Sequence, residues 1–261
     1  PITPASSQIL ARTTPPHVRG MYFSIKQTGV PLGAAVAGLL VPFIVIFWPW
    51  RVAVLTIMGL CLLGALACQP LLKIFDDRRN PERRLSLAGL ISPFQAVMRN
   101  PAIRRLALCT LFCSIAQLCL NSYLGTDLAT DLKFSLTTAG VIMFVVQGCG
   151  VIGRITWGIA ADHWIAPMRL LTLLGLGMAL CSAVMALITP DWSVALIIFV
   201  CAAFGATAIG WNGVYLAEVA RLAPAGQAGL MTGGTLFFTY LGVVIGPPIF
   251  TLIVESSRSF A

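Results

Sequence analysis

The chain has 261 residues, 58% of them hydrophobic and only 10% charged. A soluble domain carries about 25% charged residues, so the composition excludes an ordinary soluble fold, and strand alternation of the kind a membrane β-barrel needs is absent. The net charge of +8 does not point to nucleic acid, because the basic residues gather in the loops on one side of a series of apolar runs.

A transmembrane helix needs about 20 apolar residues. Residues 1–12 read as the inner end of one helix, and full spans follow at 22–47, 52–72, 103–124, 138–161, 169–189, 193–217 and 230–254. Loops on one side hold Arg12, Arg19 and Lys26, then Lys73, Arg78, Arg79, Arg83, Arg84, Arg99, Arg104 and Arg105, then Arg154, Arg169 and Arg221. The other side holds Arg51, Lys133 and Arg258. Fourteen of the 17 basic residues thus share one side, which makes that side cytoplasmic. The eight cysteines all fall in spans and form no CxxC pair, so they read as reduced apolar packers. The expected surroundings are the lipid bilayer of a plasma membrane, a bacterial inner membrane in the simplest case.

The first span opens with Lys26 and Gln27, followed by Gly29, Pro31, Gly33 and Gly38. Small residues at four-residue spacing allow close helix packing, and Pro31 favours a kink. Lys26 lies about one turn inside the helix. It either snorkels to the cytoplasmic surface or faces a cavity, where it would select an anionic substrate. The third span carries Gln117 and Asn121, one turn apart on a shared face, and the fourth carries Gln147. The sixth carries Trp211, Asn212 and Tyr215, and its end holds Glu218, for which a local pair with Arg221 is expected. The last span carries Tyr240, Gly242 and Gly246. Amides and aromatics of this kind make a plausible small-molecule lining.

The fourth span ends in Gly153-Arg154-Ile155-Thr156-Trp157-Gly158-Ile159-Ala160-Ala161-Asp162-His163. Gly153 and Gly158 allow a neighbouring helix to approach. Asp162 stands at a helix C-terminus, where the macrodipole disfavours a carboxylate. It therefore needs a partner, either the N-terminus of an adjacent helix or an arginine such as Arg154. A contact of this type, broken when the helices part, would act as a gate latch.

The chain also repeats. At an offset of 209 positions Ala11-Arg12 meets Ala220-Arg221, Pro15 meets Pro224, Gly20 meets Gly229, Leu32-Gly33 meets Leu241-Gly242, and Val36 meets Ile245. The first and seventh spans are thus equivalent. A period of six helices keeps both copies in one orientation, a parallel repeat. The charged, proline-bearing stretch 73–100 is the natural cytoplasmic linker between halves. It leaves 1–72 as the end of the first half and 101–261 as the second. Six helices per half would place four more helices upstream and one after Ala261, twelve in all.

Two parallel six-helix halves and the segment Gly153–His163 resemble the major facilitator superfamily, whose cytoplasmic signature is G-R-x-x-x-G-x-x-x-D-R/H. Trp164-Ile165-Ala166-Pro167 departs from the glycine and basic pair that usually follow. The resemblance implies an all-α membrane bundle aligned as helices five to eleven of twelve. It also implies a gating role for Gly153, Arg154, Gly158, Asp162 and His163. Helices seven and ten of that family line its central cavity, which here would engage Gln117, Asn121, Trp211, Asn212 and Tyr215. A monomer, proton coupling and no cofactor are expected from the same source.

The only histidines, His17 and His163, fall in loops, and no HExxH, GxSxG or metal-spaced cluster lies in the spans,. An enzyme is therefore not expected, and no metal site is. No ring of like charges suggests a channel. The expectation is alternating-access transport of a small molecule. Uptake of a small organic anion and efflux of a drug or metabolite stand as alternatives, with a non-transporting receptor behind them.

Overall fold

The computed structural model describes residues 2–71 and 87–257. Among these, every long element is helical. The helices are α1 Ile2–Thr13, α2 Arg19–Phe47, α3 Trp50–Cys68, α4 Leu87–Arg99, α5 Pro101–Thr130, α6 Leu136–His163, α7 Pro167–Met185, α8 Val194–Ala208, α9 Asn212–Leu222 and α10 Ala228–Ser257. Among the described residues, six stretches are long and apolar enough to cross a membrane: Trp50–Cys68, Pro101–Thr130, Thr138–His163, Pro167–Met185, Val194–Leu222 and Ala228–Val254. The first expected span, α2, is 29 residues long. Its side chains at 34, 35, 37–39 and 42, Gly38 among them, lie outside the described residues.

The starts of these helices follow from local chemistry. Asn100 accepts from the backbone N–H groups of Ala102 and Ile103 at 3.1 and 3.3 Å and precedes Pro101. Proline loses nothing at the first helical position. Ser135 caps α6 through Thr138 N–H at 3.1 Å, and Ser193 caps α8 through Leu196 N–H at 3.4 Å. Such caps satisfy donors that the helix leaves unpaired. Gly226 sits at φ +76° in the turn before α10, a conformation that side chains with a Cβ resist.

Two expected segments carry further detail. The expected span 193–217 falls within the apolar stretch Val194–Leu222, long enough to cross a membrane. It divides into α8 and α9 at residues 209–211, because side chains from α6 take over the freed carbonyls, as described below. The last part of the stretch 73–100 is occupied by α4. Apolar positions at helical spacing, including Leu87, Leu90, Ile91 and Phe94, support it. Residues 72–86 lie outside the described residues.

Contacts divide the chain into two units. One comprises Pro1–Thr28 with Ala88–Ala261, the other Gly29–Leu87. In the second unit α3 presents Leu55, Met58, Leu62, Leu63 and Leu66 outward, as a lipid-facing helix does. In the first unit α10 lies along α5 and α6 along α8. Its core includes Ile103, Leu106, Ile142, Val146, Ile197 and Val214, none more than 1% exposed. Phe112, Phe144, Leu176 and Phe199 face out, an apolar coat suited to hydrocarbon.

The 209-position offset reappears in the helix ends. α1 stops at Thr13 and α9 at Leu222; α2 starts at Arg19 and α10 at Ala228.

Candidate functional site

The site is the junction of the start of α2 (residues 19–28), α6 and the α8–α9 break, all within the first unit. Asp162, in the last turn of α6, is bonded through both carboxylate oxygens. Oδ1 accepts from Gly20 N–H at 2.8 Å and Oδ2 from Met21 N–H at 2.8 Å. These donors belong to the first turn of α2, where the helix dipole favours an anion. Of the two partners open to Asp162, the helix N-terminus is the one taken. The approach depends on missing side chains, because a Cβ on Gly20 would stand 2.7 Å from Asp162 Oδ1 and 2.8 Å from the Gly158 carbonyl. Ser24, one turn further along α2, packs against Gly158 and Gly213. His163 ends α6 beside this contact.

Arg154 is 2% exposed and forms no ion pair among the described residues. Its Nε donates to the Ile209 carbonyl at 2.8 Å and its NH1 to the Gln27 carbonyl. One guanidinium therefore ties α6 to α2 and to the first residue of the helix break. Three residues on, Trp157 Nε1 donates to the Ala206 carbonyl at 2.9 Å. Backbone at membrane depth must find internal partners, and here Arg154 and Trp157 provide them. Gly153 lets the α8 backbone come close, since a Cβ there would lie 2.6 Å from the Ala206 carbonyl.

The amides form two interhelical pairs. Asn212 Nδ2 donates to Gln117 Oε1 at 3.0 Å, and Gln147 Nε2 donates to Asn121 Oδ1 at 3.2 Å. Gln117 and Asn121 share α5 but turn to different partners, α9 and α6. Trp211 and Tyr215 are fully buried; the indole N–H has no hydrogen-bond partner among the described residues, and the phenol lies against the hydroxyls of Thr110, Thr235 and Thr239. Tyr240 is exposed. The Lys26 ammonium is buried and also lacks a partner, so it does not reach a surface. Glu218 is buried and receives Arg221 at 2.6 Å through both oxygens. Of the glycines and the proline expected to pack, Gly242 meets Leu111 and Ser114 and Gly246 meets Ile115 of α5; Pro31 is buried, and Gly29 and Gly33 are exposed.

Two features escaped the sequence reading. Thr110 and Ser114 of α5 and Thr232, Thr235 and Thr239 of α10 form a buried hydroxyl seam, with Thr239 Oγ1 to Thr110 Oγ1 at 3.2 Å and Ser114 Oγ to the Thr239 carbonyl at 2.9 Å. The spacing of 232, 235 and 239 along one face was its signal. A cavity of about 400 Å³ lies among α5, α7, α8 and α10, lined by Tyr123, Asp127, Met185, Phe204 and Phe250 with smaller groups. Asp127 there is the acidic residue that no motif marked. Among the described residues no cluster of metal-ligating side chains occurs.

The family model described as "Major Facilitator Superfamily" matches residues 1–247. Curated relatives include uncharacterized MFS-type transporters from two strains of Mycobacterium tuberculosis, each 24% identical over 97% of this chain and 55% of the relative. The chain spans about half the length of these relatives.

Proposed function

From the premise that the chain belongs to the Major Facilitator Superfamily, we propose that it works within a secondary transporter that moves a small molecule by alternating access, with a proton as coupling ion. Membrane transport is the family's activity. The working parts suggested here are two halves rocking about a midplane site, with α2 in one and α5 to α10 in the other. The observation that carries this reading is the pair of hydrogen bonds from the first turn of α2 to Asp162, 142 and 141 positions away in sequence. Such a contact lasts only while the two helices touch, so it latches the cytoplasmic end when closed. Trp157, Arg154 and the helix break beneath it form the joint that positions α9. Residence in a bacterial inner membrane as a monomer, with 73–100 cytoplasmic, completes the proposal.

The Asp162→Asn variant of the full-length protein tests it in proteoliposomes. Slowed flux with unchanged expression is expected; wild-type flux refutes the latch. A second reading, efflux of a lipophilic compound, draws on the aromatic cavity and its single carboxylate, Asp127. Export of cationic dyes against a proton gradient is its measurement.

A further inference from the structure

We infer that Gln8 is a second latch, fastening α1 to α10 as Asp162 fastens α6 to α2, and that the cytoplasmic end closes through both. This goes beyond the transport cycle proposed above but rests on it, and on the division that puts α1 and α2 in one half and α5 to α10 in the other.

Gln8 Oε1 accepts from Gly229 N–H at 2.7 Å, across 221 positions of sequence. Gly229 is the second residue of α10, so its N–H is one of the donors that a helix start leaves without an internal partner. The bond also needs a bare backbone. A Cβ on Gly229 would stand 2.9 Å from the Pro4 carbonyl oxygen and 3.2 Å from Gln8 Cβ.

The repeat gives this bond its meaning. At the offset of 209 positions Gly229 is the counterpart of Gly20, whose N–H is taken by Asp162 at 2.8 Å. Two equivalent helix starts are thus each held by a side chain from another helix. The packing beside them is equivalent too. Pro4 corresponds to Gly213, and Ser24 to Gly233. Gly213 lies against Ser24, joining α9 to α2, and Gly233 lies against Pro4, joining α1 to α10. The same two positions therefore meet twice, each time with one member from either half. Contacts that recur in this way form two related seams between the halves, and rocking has to part both.

The two fastenings differ in kind. Asp162 offers two charged oxygens to two N–H groups, whereas Gln8 offers one neutral oxygen to one. Charge-assisted hydrogen bonds are about twice as strong as neutral ones. A cavity of about 680 Å³ lies beside the Gln8 contact, among α1, α4 and α10, lined by Thr3, Pro4, Phe94, Gly233 and Phe237 with others. Little close packing is lost there when α1 moves. The seam held by Gln8 is therefore the easier of the two to part.

The test uses full-length protein freed of its other cysteines, in proteoliposomes. Gly233 has room for a side chain, since a Cβ there would stand 3.7 Å from Pro4 Cγ. Pro4→Cys with Gly233→Cys forms a disulfide only while this seam is closed, and Gly233→Cys alone meets a bulky maleimide only while it is open. The ratio of cross-linking rate to labelling rate follows the ratio of closed to open populations. Gln8→Leu removes the acceptor and should lower that ratio about three- to tenfold, the scale of one neutral hydrogen bond. Gln8→Glu sets an anion at a helix start, which the dipole favours, and should not lower it. Gln8→Asn, one methylene too short for the same reach, serves if Gln8→Leu does not elute as a folded protein, and should lower the ratio likewise. A ratio unchanged on removing or shortening the acceptor, or one lowered alike by Gln8→Leu and Gln8→Glu, overturns the inference. A ratio that follows Gln8 in a protein without flux would instead sink the transport reading and leave the seam standing. Flux in a protein whose ratio ignores Gln8 would do the reverse.

Discussion

Replacing Trp157 by phenylalanine tests the joint at the α8–α9 break. The indole N–H donates to the Ala206 carbonyl at 2.9 Å, and phenylalanine keeps an aromatic ring while deleting that donor. Side-chain hydrogen bonds in membrane bundles average about 0.6 kcal/mol, which sets the lower bound. A buried acceptor left unpaired costs about 1–3 kcal/mol, which sets the upper one. The Ala206 carbonyl adjoins a break, so the higher part of this range, about 1.5–3 kcal/mol, is expected. Gly210 supplies the control. A Cβ there would overlap the Ala206 carbonyl oxygen and stand 2.7 Å from Trp157 Cδ1 and 2.9 Å from its Nε1, so Gly210→Ala crowds both the carbonyl and the indole at a cost of about 1–3 kcal/mol. The smaller phenyl ring relieves part of that clash, so the double variant should be less destabilised than the sum of the single ones, by about 0.5 kcal/mol or more. Reversible unfolding of the full-length protein in mixed micelles, followed by helicity, measures all three. A Trp157→Phe loss under about 0.5 kcal/mol, together with strict additivity, refutes the claim that Trp157 sustains the break.

Gly226 holds φ +76° ahead of α10, so Gly226→Ala should cost about 1 kcal/mol and speed hydrogen exchange at the start of that helix. A Cβ at Gly242 would run into the Leu111 carbonyl and Ser114 Oγ. Gly242→Val should therefore lower stability by about 1–3 kcal/mol, and cysteine cross-linking between α5 and α10 should slow. Gln117→Leu strips the Asn212 amide of its acceptor and should destabilise by about 1 kcal/mol; Gln117→Glu keeps an acceptor and should lose less, both read from the same unfolding titration.

Hydropathy was enough to locate the six spans found among the described residues, because burial in lipid acts on each stretch separately. The partner of Asp162 was also within reach, since a carboxylate at a helix C-terminus has few stable solutions, an adjacent helix N-terminus among them. The break at residues 209–211 was not legible. Ala208, Ile209, Gly210 and Trp211 read as uninterrupted apolar sequence, and what permits the break is supplied by Arg154 and Trp157, about 50 positions earlier. Arg154 misled for a related reason. It stood as one of two possible partners for Asp162, eight positions on, yet its bonds run to backbone carbonyls that carry no signal in the sequence. The amides were recognised as polar points in apolar spans, but their pairing across helices depends on rotations that periodicity alone leaves open. Asp127 passed unmarked because the aromatic cavity around it is assembled from four helices.

The bonds of Arg154 have one more implication. Its acceptors are peptide oxygens, which neither gain nor lose a proton at any pH a cell meets. Acid, base or a membrane proton gradient cannot act on that tie through its acceptors, and screening by salt scarcely enters a site so buried. It yields to displacement of α2 or α9 alone. Asp162, eight positions away on the same helix, is a carboxylate held by the backbone N–H groups of Gly20 and Met21. One helix thus presents two fastenings to the same neighbour, a cation set on carbonyls and an anion set on N–H donors.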